Sequence, residues 1–93
     1  MKFEWDDFKN WDNIQKHGIP FDYAAQVFED EYRLEEYDYN HDEDEDRYDI
    51  IGMVDKVLFV VVTYRDEDTV KLISARLATK AEKARYEKWL LLQ

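Results

Sequence analysis

The apolar positions of this chain change their spacing three times. Phe3 and Trp5 alternate with charged residues, the period of a short first strand. From Asp6, a suitable N-cap, the spacing becomes helical: Phe8, Trp11 and Ile14 stand three apart, and Gly18 after His17 supplies a left-handed stop. Pro20 blocks continuation, and Phe21, Ala24, Ala25 and Phe28 form one face of a second short helix. After Asp30 the period is two. Segments 32–37, 47–54, 57–65 and 69–76 read as strands, separated by a polar loop at 40–46, a two-residue turn at Asp55-Lys56 and a reversal at Asp66–Asp68. Finally the spacing is helical again. Thr79 with Glu82 is a capping box, opening a helix to about Leu92 that buries Tyr86, Trp89 and Leu90.

This order predicts a single domain over residues 1–93 of the α+β class. It is a small two-layer domain, an antiparallel β-meander with two N-terminal helices and one C-terminal helix. With 45% apolar and 16% aromatic residues and only two Gly and one Pro, the composition is that of a folding chain, not a disordered tail. The core is expected to lean on large rings, among them Trp5, Trp11 and Trp89. No cysteine is present, so neither a disulfide nor a thiolate enters the chemistry. The longest unbroken apolar run, Val57 to Val62, is too short to span a bilayer, and the N-terminus lacks the apolar stretch of a signal peptide. These features point to a cytoplasmic protein with no membrane role.

The net charge of −10 is unevenly placed. Between Glu29 and Asp49 twelve acids face Arg33 and Arg47, whereas from Lys71 to Gln93 six bases face two acids. An acidic middle with a basic end does not exclude a polyanionic partner, despite the overall sign.

One ordered set of short motifs carries a resemblance. Phe3-Glu4-Trp5-Asp6, Lys9, Asn13, Lys16-His17-Gly18, Phe21, Ala25 and Phe28 are followed by Glu45-x-Arg47, Ile51-Gly52, Val60-Val61 and Thr63-x-Arg65. Ile73-Ser74-Ala75-Arg76-x-Ala78, Glu82 and Tyr86 close it. Together they resemble the BrnT ribonuclease toxins of bacterial toxin–antitoxin pairs, over nearly the whole chain. The resemblance implies a RelE-like fold, metal-independent RNA cleavage without a cofactor, and neutralisation by a protein antitoxin carrying a DNA-binding module, in a higher-order toxin–antitoxin complex. The chain departs from the family at Asn40, before His41, and at Asp44, which makes the loop Asp42–Asp46 unusually acidic. Such a loop would repel RNA and attract a basic partner.

Metal-free cleavage requires activation of the 2′-hydroxyl, neutralisation of the crowded phosphate and protonation of the leaving 5′-oxygen. General acid–base groups contribute about 10²–10⁴-fold each. A well-placed donor on the developing charge contributes about 3–4 kcal/mol. Arginine suits the second task because its planar fork grips two phosphate oxygens. Arg47, Arg65 and Arg76 are the catalytic candidates of this type; ordinary ion pairing with the abundant carboxylates is the bland reading of each. His17, at a helix C-terminus where the dipole favours positive charge, is the candidate general acid, and simple capping is its alternative. Lys80, Lys83 and Arg85 on the last helix are candidates for tracking RNA phosphates, or an ordinary soluble face. His41 reads as a loop side chain. The acidic run lacks the glycine turn and distal glutamate of a calcium loop, and no metal site is expected. Trp89 to Leu92 exceed what one helix face can bury, which suits either a partner contact or terminal packing.

The leading function is therefore an RNA-cleaving toxin. The alternative is a non-catalytic protein-interaction domain of the same fold with a blunted site. A nucleic-acid mimic ranks last, since the acids concentrate in one strand and loop rather than spreading over a surface.

Overall fold

A computed structural model describes residues 1–40 and 45–93. The expectations attached to His41 and Asp42–Asp44 lie outside the described residues. The elements are β1 (Lys2–Glu4), α1 (Asp7–His17), α2 (Phe21–Ala24) continuing as a 3₁₀ segment (Ala25–Glu29), β2 (Leu34–Tyr37), β3 (Tyr48–Val54), β4 (Lys56–Tyr64), β5 (Thr69–Leu77) and α3 (Lys80–Leu90).

Local chemistry sets the boundaries much as the sequence suggests. Asp6 accepts a hydrogen bond from the Lys9 amide at 3.0 Å, and Gly18 ends α1 at φ 70°, a conformation that costs glycine nothing. Thr79 and Glu82 form the reciprocal capping box of α3. The β3–β4 reversal centres on Asp55 at φ 58°, a left-handed position that aspartate tolerates better than most residues. Arg47 falls just before β3, and α3 stops at Leu90.

The five strands lie in the order β1-β5-β4-β3-β2. From β2 to β5 the sheet is an antiparallel meander, and β1 joins the outside of β5 in parallel. A register shift at Val61/Val62 makes Ile73 the extra residue of β5, so Leu72 and Ala75 both reach the main core. That core lies between one sheet face and α2 with its 3₁₀ continuation. It is built from Phe21, Val27, Ile50, Leu58, Val60, Val62, Val70 and Leu72, all at most 1% exposed. Gly52 permits the 3₁₀ segment to close on β3: a Cβ there would stand 3.2 Å from that of Val27. Helix α3 covers only one end of the opposite face, where Tyr86 packs with Ile51, Val57, Ala78, Leu34 and Phe59.

Branched aliphatics, not large rings, fill the centre. Phe8 and Trp11 are 70% and 57% exposed, contrary to the expected core role of Trp11. The inward side of α1 carries amides instead, because it meets a strand edge. Asn13 donates to the Ala75 and Ile19 carbonyls at 2.8 and 2.9 Å and accepts from the Ala75 amide at 3.0 Å. Asn10 accepts from the Phe21 amide. Asn13 thus stands where a neighbouring strand would be, beyond the end of short β1. Trp89 is half-buried, its indole donating to the Tyr32 carbonyl, and Leu90 is exposed rather than buried.

Candidate active site

The sheet face that α3 leaves uncovered collects the polar positions that alternate with the core. Side chains on a strand alternate between faces, and paired residues share one. Cross-strand pairing therefore places Glu4, Lys71 and Thr63 in one row, and Ser74, Val61, Asp49 and Glu36 in the next. A third row carries Arg76, Phe59, Ile51 and Leu34. Arg65 extends beyond β4 on the same side and pairs with Glu4 at 3.0 Å. Arg47 lies one step before β3, beside Asp49.

All three candidate arginines thus share one face, but they are spread along it. Arg65 marks one end and Arg76 the other; the six residue steps from Phe59, opposite Arg76, to Arg65 span about 20 Å of strand. Arg47 sits between and opens onto a cleft of about 290 Å³, lined by Lys9, Asp12, Asn13, Lys16 and His17 of α1 with Ile73 and Ser74 of β5. His17 and Arg47, thirty positions apart in sequence, both line it. Lys16 is held by Asp12 at 2.9 Å.

Arg76 is held on two sides. Its guanidinium lies 4.2 Å above the centre of the Phe59 ring and grips both oxygens of Glu82, at 2.8 and 3.0 Å. The pair stabilises both charged forms: Glu82 holds the guanidinium pKa up, and Arg76 holds the carboxyl below its ordinary range. Asp49, by contrast, is pushed up, chiefly by burial and further by Asp38 and Glu82, against the pull of Arg76. A carboxyl raised in this way exchanges a proton more readily near neutral pH than an exposed one.

Because the folded-state pKa of Glu82 is depressed, its contribution is complete above the ordinary glutamate range and disappears as pH falls through the depressed value. Glu82→Gln is expected to cost about 1 kcal/mol at pH 7, the pair being partly solvated. Thermal melts of parent and variant should converge as the pH is lowered through the depressed Glu82 pKa.

Lys80, Lys83 and Arg85 are exposed on α3. Arg85 pairs with Glu36 at the other side of the sheet. Among the described residues, no group of three or more His, Cys, Asp or Glu side chains is arranged to hold a metal ion.

Comparison with known proteins decides what this arrangement belongs to. A family described as "Ribonuclease toxin, BrnT, of type II toxin-antitoxin system" matches residues 5–82. The chain belongs to the BrnT family. The crystal structure of the ribonuclease toxin BrnT of Brucella abortus shares the fold with a TM-score of 0.64 at 24% identity, over 86% of this chain and 99% of that one. No curated protein matches. In this BrnT-family chain the Lys9, Asn13, Lys16 and His17 motif of α1 and the Ser74 motif of β5 line one cleft. Lys71 and Asp49 share the sheet face of the candidate arginines without belonging to any motif of the sequence. Both alternate with the core residues Val70, Leu72 and Ile50, so strand period alone signalled the opposite face. Nothing local signalled that α1 would border it.

Proposed function

We propose that this BrnT-family chain is a metal-independent endoribonuclease acting in the cytoplasm and neutralised by a protein antitoxin. The observation that carries the reading is the cleft in which Arg47, His17, Lys9 and Lys16 converge beside the polar sheet face. RNA would lie along that face, Arg65 and Lys71 holding phosphates upstream of Arg47, and Lys80, Lys83 and Arg85 holding those beyond Arg76. In the reaction a base removes the proton of a 2′-hydroxyl, whose oxygen attacks the adjacent phosphorus. An acid then protonates the departing 5′-oxygen, leaving a cyclic phosphate and a 5′-hydroxyl. Arg47 and Arg76 neutralise the crowded phosphate. Asp49 and His17 are the proton-exchange groups that the face offers. No membrane role is included; among the described residues no helix is long and apolar enough to cross a bilayer.

Neutralisation by an antitoxin is supported by family membership; a DNA-binding module on that antitoxin and a higher-order complex complete the proposal. One observation favours the non-catalytic alternative: Arg65, Arg76 and Arg85 are each already held by a carboxylate. A single assay separates the two. Purified protein incubated with RNA in EDTA is expected to cut it, yielding cyclic-phosphate ends. Cleavage lost in EDTA and restored by Mg²⁺ would remove the mechanism, and no cleavage under any condition would leave the interaction-domain reading.

A further inference from the structure

The two sides of the sheet are finished differently. On the β5 side, β1 pairs along Thr69–Lys71 and Asn13 takes the backbone of Ala75, so that strand is closed. On the other side β2 is the outermost strand, and among the described residues no strand pairs with its outer edge. The Asp38 amide bonds the Arg47 carbonyl at 2.9 Å. In an antiparallel ladder such pairs alternate, which turns the amides and carbonyls of Glu35 and Tyr37 away from β3.

Around this edge runs an aromatic ladder on the core face of the sheet, beyond the cover of α2. Tyr39 meets Tyr37, Tyr37 meets Tyr48 and Tyr48 meets Tyr64, with ring centres 4.7, 5.4 and 5.3 Å apart. Tyr37, Tyr39 and Tyr64 are exposed. Tyr37 donates to Asp46, and Tyr64 to Glu35. Among the described residues, 29–40 and 45–49 carry seven more acids than bases. Tyrosine faces and carboxylates together attract lysine and arginine and repel a polyanion. This surface is therefore complementary to a basic protein segment and not to RNA.

We propose that β2 is the docking edge for an extended, lysine- and arginine-rich segment of a protein partner, which adds as a sixth strand and rests its cations on the tyrosine ladder. The proposal refines the antitoxin reading above. An added strand hydrogen-bonds Glu35 and Tyr37, while its alternate basic side chains, all on one face, reach Tyr37 and Tyr39, and the residues between them lie over Glu36, in the row of Asp49. The partner would thus border the RNA face from the side opposite α1.

The test uses the whole chain and a synthetic peptide of about twelve residues alternating arginine with valine. Three comparison ligands are the same peptide with glutamate for arginine, a scrambled peptide with its arginines in one block, and a single-stranded RNA. The alternating basic peptide is expected to bind and to slow hydrogen exchange of the Glu35 and Tyr37 amides about tenfold or more. Glu35→Gln combined with Asp38→Asn should weaken that binding about fivefold at low salt, and the difference should shrink as salt rises. Tyr39→Ala, at an exposed turn position, should weaken it without loss of stability. Binding without protection of the two amides, equal binding of the acidic or block peptide, or protection by RNA would each overturn the proposal. RNA cleavage is scored separately on the same sample, so an inactive protein that still protects Glu35 and Tyr37 would count against the ribonuclease reading alone.

Discussion

Arg76→Ala is expected to slow RNA cleavage by about a hundredfold or more, the scale of deleting one donor from a preorganised anion site. Phe59 beneath the guanidinium and Glu82 beside it fix its orientation before any RNA arrives. A donor that needs no reorganisation is worth most in the transition state, so the loss should fall on kcat. Arg76→Lys keeps the charge but not the fork and should recover only part of the rate. Arg47→Ala, at the mouth of the α1 cleft, should have a similar effect. Arg65→Ala should instead raise KM and flatten the salt dependence, since Arg65 lies at the far end of the face and would hold a remote phosphate. The measurement is single-turnover cleavage of a defined RNA, with denaturant melts to confirm that each variant folds. An Arg76→Ala protein that cleaves at the parental rate would remove Arg76 from the site. The corresponding cellular result is relief of growth arrest when the variant is expressed alone.

Asn13→Leu is expected to cost about 3–5 kcal/mol, a large share of the roughly 5–15 kcal/mol that holds a domain together. The side chain is 5% exposed and makes three hydrogen bonds to backbone groups of Ala75 and Ile19. Leucine matches its bulk but leaves the Ala75 amide and two carbonyls without partners at a closed sheet edge, where each such group costs about 1–3 kcal/mol. Asn13→Asp retains an acceptor for the Ala75 amide yet turns an oxygen toward the carbonyls, so it should also destabilise strongly. Urea unfolding followed by tryptophan fluorescence measures both. A cost under about 1 kcal/mol would mean that water enters the edge and replaces the amide. Since Asn13 also lines the cleft beside His17, Asn13 variants are expected to lose stability and activity together.

Much of the element order was legible because it is written in local chemistry. Asp6, Gly18 and the Thr79–Glu82 box mark helix ends through bonds within a few residues. The period-two runs of β3, β4 and β5 carry their own face assignment. Family membership was legible for a related reason: its motifs are short, ordered and spread over nearly the whole chain. The exposed Trp11 was not legible, because helical spacing tells which residues share a face but not which face meets the sheet. That choice fell to Asn13, whose partner Ala75 lies sixty-two positions away.

The site divides in the same manner. Sequence by itself supplied the cations, the absence of thiol chemistry and the acidic middle that opposes a basic end. It could not order Arg65, Arg47 and Arg76 along one sheet face, since strand register and the extra residue at Ile73 decide which rows they occupy. Nor could it bring His17 to Arg47 or leave β2 as the open edge. Those are long-range pairings, selected because they bury the aliphatic face of the sheet under α2 and the 3₁₀ segment while β5, β4 and β3 each find a neighbour or a substitute on both sides. The identities of the groups are local facts; their convergence is a property of the packed sheet.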